Sequence, residues 1–284
     1  MNRFPIFLAT VGACLVWQVA GAAQQPGRNS SFGDRFFAHN ATMEALQPSW
    51  PTPVVESDPR LTQYYRFSFS NEYTAAGTQT VSYGNARGGG IVAWNRCEFD
   101  VLPPAYFQRN STATDGFGDT SVLMKFRIAS ANAAHGNYIA TAILSHTFAT
   151  GSAKNGALTG SWNPTLAGGV GLTRKIDFES SLGGTLPTGQ ISAQGRSVVW
   201  NSLVQDHVTR VVWLELENNA TFYNRGPHGG LMQNFITPCA LYVLRRKDWK
   251  PTHPFLVFDG GMQIATSAFH TYNHNLIAEM RVLF

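Results

Sequence analysis

Beyond its N-terminal leader the chain has no run of about 20 consecutive apolar residues, which excludes a transmembrane helix from the body of the protein. Charge is scarce as well. Asp, Glu, Lys and Arg make up 13% of residues, against roughly 25% in an average soluble domain. The net charge of +4 is spread along the chain, without the Lys/Arg cluster that marks a nucleic-acid-binding face, so no nucleic-acid partner is expected. Cysteine is rare: Cys14 lies inside the leader, which leaves Cys97 and Cys239. An oxidising compartment would permit a disulfide between them, but Cys97 falls on a strand face assigned below to lipid. Two unpaired cysteines is the favoured reading.

Catalytic signatures are missing too. There is no Gly-x-Ser-x-Gly elbow, His-Glu-x-x-His site, Walker loop or Cys-x-x-Cys pair. His270 and His274 are four apart, which on a strand or loop gives no shared metal face, and Ser145-His146 are adjacent and point to opposite faces of a strand. The expectation is therefore no enzyme, no cofactor and no metal. Asn-x-Ser/Thr patterns beginning at Asn29, Asn40, Asn110 and Asn219 read as chance products of short polar loops.

What the chain does have is two-residue alternation. From His274 it runs with Leu276, Ala278, Met280, Val282 and Phe284 on one face and Asn275, Ile277, Glu279, Arg281 and Leu283 on the other. A polar face opposite an apolar one, closing on an aromatic, is how a bacterial outer-membrane barrel finishes its last strand. Such an ending implies outer-membrane lipid and the barrel-assembly machinery as partners. The other end agrees: Met1-Asn2-Arg3, an apolar run to Val19 and Ala20-Gly21-Ala22 predict a signal peptide over 1–22. The lipoprotein-like Val11-Gly12-Ala13-Cys14 is the lesser reading, because apolar residues continue past Cys14.

Residues 23–60 show no sustained periodicity and recurrent proline. They are expected to form an irregular extension, periplasmic or plugging the barrel, with short helical character near Ala41–Leu46. From Leu61 strand follows strand. Tyr65, Phe67 and Phe69 oppose Tyr64, Arg66, Ser68 and Ser70. Ile91, Ala93, Cys97, Phe99 and Val101 oppose Trp94, Arg96, Glu98 and Asp100. Val122, Met124, Phe126 and Ile128 oppose Ser121, Lys125 and Arg127. Further strands are predicted near 78–83, 137–148, 163–173, 175–186, 196–206, 208–221, 231–245, 254–266 and 274–284, with a bulge or edge feature at Pro238. The prediction is an all-β, antiparallel up-and-down transmembrane barrel of about 12 strands over 61–284. Even-to-odd connections should be short periplasmic turns, Arg245–His253 excepted. Pro103–Phe117, Ala149–Trp162 and Pro187–Arg196 should be longer extracellular loops.

Two segments carry a family resemblance. Cys97-Glu98-Phe99-Asp100-Val101-Leu102-Pro103-Pro104-Ala105-Tyr106 and Gly116-Phe117-Gly118-Asp119-Thr120-Ser121-Val122 resemble the MetA-pathway phenol-degradation family of outer-membrane proteins, with Phe148-Ala149-Thr150-Gly151-Ser152 fitting the same layout. The resemblance implies an outer-membrane barrel that admits small molecules, aromatic or otherwise hydrophobic ones included. Physically, Gly116 and Gly118 let a loop turn into a strand, and Asp119 can accept hydrogen bonds at the rim.

Charge facing hydrocarbon near the midplane costs roughly 2–4 kcal/mol for Arg or Lys, so alternation sends it inward. The candidate lumen-lining residues are Arg66, Arg96, Glu98, Asp100, Asp119, Lys125, Arg127, Asp177, Glu179, Glu215, Glu217, Asp259, Glu279 and Arg281. They fit either a salt-bridged filling or a polar path of mixed charge. Tyr64 and Trp213 on the same face suit an aromatic solute or plain packing. The favoured function is a narrow channel for passive uptake of small molecules in the outer membrane. The alternatives are a structural or adhesion barrel acting through its loops and, more remotely, a soluble β-sandwich.

Overall fold

A computed structural model describes residues 31–244 and 254–284, apart from Ala86 and Ala153. The expected signal peptide, residues 1–22, and the Arg245–His253 connection lie outside the described residues. Twelve antiparallel strands close into one barrel, because the last pairs with the first from Tyr64↔Leu283 to Tyr73↔His274. They are β1 Tyr64–Tyr73, β2 Gln79–Tyr83 with Gly88–Trp94, β3 Cys97–Leu102 with Tyr106–Arg109, and β4 Gly116–Phe117 with Thr120–Ala131. Then follow β5 Tyr138–Phe148, β6 Ser161–Gly171, β7 Ile176–Pro187, β8 Arg196–His207, β9 Val212–Arg225, β10 Met232–Leu244, β11 Phe255–Ala265 and β12 His274–Leu283.

Alternation is why the sheet closes as it does. Leu166, Leu182 and Leu216 are more than half exposed on the outer face, while Glu98, Glu179 and Glu217 on the inner face have no exposure at all. A soluble protein reverses that distribution; a wall between lipid and a polar interior requires it. Tyr106 on Phe117 (5.2 Å) and His146 on Trp162 (4.3 Å) sit outside toward the loop end, and Trp94 on Phe99 (5.6 Å) outside toward the turn end.

Three adjacent strands are interrupted at one level. β2 breaks at Gly84, whose φ of 79° needs the freedom of glycine. β3 breaks at Pro103-Pro104, which bring no N–H to a ladder, and β4 at Gly118-Asp119. The expected long loop over 103–117 is thus partly strand: Tyr106–Arg109 resumes β3 and Gly116–Phe117 begins β4. Pro238 does not bulge β10 against β9, but pairing with β11 stops between Ile236 and Cys239.

Before the barrel comes helix α1, Phe32–Glu44, longer than the short helical turn expected near Ala41. At the opposite mouth, α2 (Ile191–Gln194) forms part of the β7–β8 loop. α1 lies at the turn end, where the Asn40 amide donates to the Phe284 carbonyl. From there the chain enters the barrel.

Candidate functional site

The interior is organised by a backbone that cannot pair with itself. Between Gln47 and Gln63 the chain carries Pro48, Pro51, Pro53 and Pro59, so it forms neither helix nor strand, and its peptide groups must find partners elsewhere. The barrel wall supplies them. Glu217 Oε1 accepts the Val54 and Val55 N–H groups (2.9 and 2.7 Å), and Oε2 accepts that of Glu56 (2.7 Å). Glu215 Oε1 also accepts Val54 N–H at 3.1 Å.

Cations and amides of the wall donate to the segment's carbonyls. Arg281 reaches Thr52 and Pro53 (2.7 Å to the latter), Lys125 Nζ reaches Arg60 (3.1 Å), and Gln205 Nε2 reaches Pro51 (3.3 Å). Thr141 donates to the Pro59 carbonyl and Arg127 to that of Met43 at 3.2 Å. The N-terminal segment is a plug docked onto β3–β5, β8, β9 and β12. Side chains follow suit: Val54 packs with Cys239 and Leu241.

The charged residues placed inward by alternation meet at this level. Lys125 pairs with Glu98 at 2.9 Å, and Arg281 with Glu279 and, at 3.3 Å, Asp259. Arg66 lies 3.8 Å from Glu279, and Asp100 accepts the Tyr64 hydroxyl at 2.8 Å. Asp177 and Glu179 are buried on the inner face of β7. Plug residues add Asp58 and Arg60, paired at 3.1 Å. A cavity of about 130 Å³ remains between plug residues Thr52, Glu56 and Asp58 and wall residues Tyr64, Arg66 and Asp100. Glu56 belongs to the plug, not to a strand. Burial, with Glu215 and Asp58 adding repulsion, pushes its carboxyl up to about 8.

Two candidate residues are not in the lumen. Arg96 sits exposed in the β2–β3 turn, its guanidinium on the Ile128 carbonyl (3.3 Å). A register shift between Val92 and Trp94 breaks the alternation there, and it also turns Trp94 outward. Asp119 is at the rim: its oxygens accept the Gly151 and Ala157 N–H groups at 2.8 and 2.7 Å, tying down the β5–β6 loop. Tyr64 and Trp213 do face inward, but both are engaged, Tyr64 on Asp100 and Trp213 stacked on His207 at 4.1 Å. Cys97 and Cys239 are free and lie on opposite faces of the wall. Glu215, Glu217 and Cys239 come close enough to share an ion, but the carboxylates already accept plug N–H groups, and Cys239 packs against Val54.

Charge patterning overlooked the neutral part of the lumen. Beyond the plug, Asn201 donates to Ser181 (3.2 Å), Asn219 to Asn201 (3.3 Å) and Gln263 to Asn219 (3.4 Å), while Asn275 and Tyr272 both donate to Gln263. Alternation was the only signal these residues carried.

No family model matches the chain, and no curated protein matches it. Solved structures do. An outer-membrane channel from Pseudomonas putida F1 superposes with a TM-score of 0.51 at 13% identity, over 83% of this chain and all of that one. The NanC porin gives 0.49 at 8% identity, over 78% and 98%, and the KdgM porin 0.44 at 10%, over 77% and 99%. At such identities the likeness is one of fold, the closed antiparallel membrane barrel.

Proposed function

We propose that the protein is a non-enzymatic outer-membrane channel for passive uptake of small molecules, narrowed by its own N-terminal plug. The observation that carries this reading is a closed barrel with a polar interior in which the plug leaves a cavity of about 130 Å³. Aromatic or otherwise hydrophobic solutes stay within the proposed class through the phenol-degradation-family resemblance. Export through a cleaved leader, and insertion by machinery that reads β12, belong to the same proposal.

Single-channel recording of the purified full chain in planar bilayers tests it. Small, steady conductance is expected. A barrel that carries no current would favour the second reading, a structural or adhesion barrel acting through its loops, which the many plug–wall hydrogen bonds also suit.

A further inference from the structure

The lumen and the whole chain have opposite charge. The chain carries a net +4, yet among the described residues ten carboxylate side chains are buried against four basic ones, Arg60, Lys125, Arg127 and Arg281. Those four are committed. Arg60 holds Asp58, Lys125 holds Glu98, and Arg281 holds Glu279 and Asp259. The Arg127 guanidinium serves the Met43 and Asn95 carbonyls. Glu215 and Glu217 are satisfied by plug N–H groups.

With Asp100 accepting the Tyr64 hydroxyl, what remains is Asp177 and Glu179 on β7 and Glu56 on the plug facing them. None forms a close ion pair among the described residues, and Arg60, engaged with Asp58, acts on Asp177 and Glu179 only from further off. Glu179 has no exposure, and among the described residues neither of its oxygens has a protein donor; Asp177 Oδ2 is likewise bare. A buried carboxylate with neither a hydrogen-bond donor nor a close ion pair costs several kcal/mol. A cation arriving from the lumen relieves that cost, whereas an anion adds to it. Room for the Glu179 side chain comes from Gly169: a Cβ there would meet the Trp50 ring at 2.8 Å and the Glu179 Cγ at 2.9 Å, so the glycine lets the plug pack beside the stem of Glu179. Acidic rings select cations in other channels.

We propose that the plugged level of the lumen is a cation filter in which Glu179 and Asp177 are the selecting carboxylates and Glu56 completes the cluster. The solutes it admits are small and positively charged. This inference rests on the channel reading and narrows its solute class.

The test is the reversal potential of the full-length protein in planar bilayers under a tenfold KCl gradient. A K⁺-over-Cl⁻ permeability ratio well above one is expected. It should fall at least about threefold in Glu179→Gln and in Asp177→Asn, and hold in Glu179→Asp, which keeps the charge. If Glu179→Gln fails to insert, Glu56→Gln leaves the wall intact and is expected to lower the same ratio when it is recorded above about pH 8, where Glu56 is ionised. Current with a ratio near or below one overturns the filter and leaves the channel standing, as does a ratio indifferent to Glu179→Gln. A wild-type barrel that carries no current removes the channel reading itself, and the filter with it.

Discussion

Replacing Glu217 by alanine should loosen the plug without unfolding the barrel. The carboxylate accepts three plug N–H groups at 2.7–2.9 Å, those of Val54, Val55 and Glu56. Without it these donors stay buried with nothing to receive them except Glu215, which already takes Val54 at 3.1 Å. Val55 and Glu56 are then orphaned, each at a cost of about 1–2 kcal/mol, so the docked state weakens by about 2–4 kcal/mol. That is about one and a half to three powers of ten in the docked-to-undocked ratio. The Val54–Cys239–Leu241 packing and the Arg281 contacts persist, so undocking should appear as intermittent large openings. In bilayers, Glu217→Ala is expected to flicker to the level shown continuously by a variant lacking residues 31–60, and Glu215→Gln added to it should lengthen the openings. The reasoning is refuted if the truncated barrel conducts no better than wild type. It is also refuted if Glu217→Ala is indistinguishable from wild type while the truncation opens.

Arg281→Met strands Asp259 in the wall, leaves Glu279 only Arg66 at 3.8 Å, and removes two donors to the plug. It should destabilise by about 3–5 kcal/mol, seen as a lower temperature for the folded-to-unfolded shift on semi-native gels; no change would contradict the pairing. Asp119→Ala frees the Gly151 and Ala157 N–H groups, so protease cleavage within 149–160 should quicken while barrel melting hardly moves. Gly169→Val forces Trp50 and Glu179 apart against the Phe178 carbonyl at 3.1 Å, and should raise conductance by displacing the plug. Glu56 is harder to ionise when docked, with a value near 8 against 4.5 in water. The docked plug therefore binds the extra proton, and docking weakens as pH climbs from about 4.5 to 8. Conductance should rise over that window, and Glu56→Gln should remove its share of the rise.

Sequence alone was enough for the wall. Strand after strand alternates because an Arg or Lys turned to hydrocarbon is costly, so faces, strand count and the phase of Glu279 against Met280 could all be read locally. That reading failed where local geometry breaks period two, at the register shift by Trp94 and Arg96 and at the rim where Asp119 turns to a loop. The plug was beyond its reach for a different reason. Residues 47–63 have no periodicity of their own, and their prolines say only that they will not form a helix or a ladder. Whether such a segment hangs in the periplasm or fills the lumen depends on partners as far as 229 positions away: Glu98, Lys125, Glu217 and Arg281. Closing the barrel brings those groups around a shared interior, where buried charge must be matched by peptide N–H, carbonyl or ion. The sequence thus determined which side chains point inward, and tertiary structure decided what each would hold there.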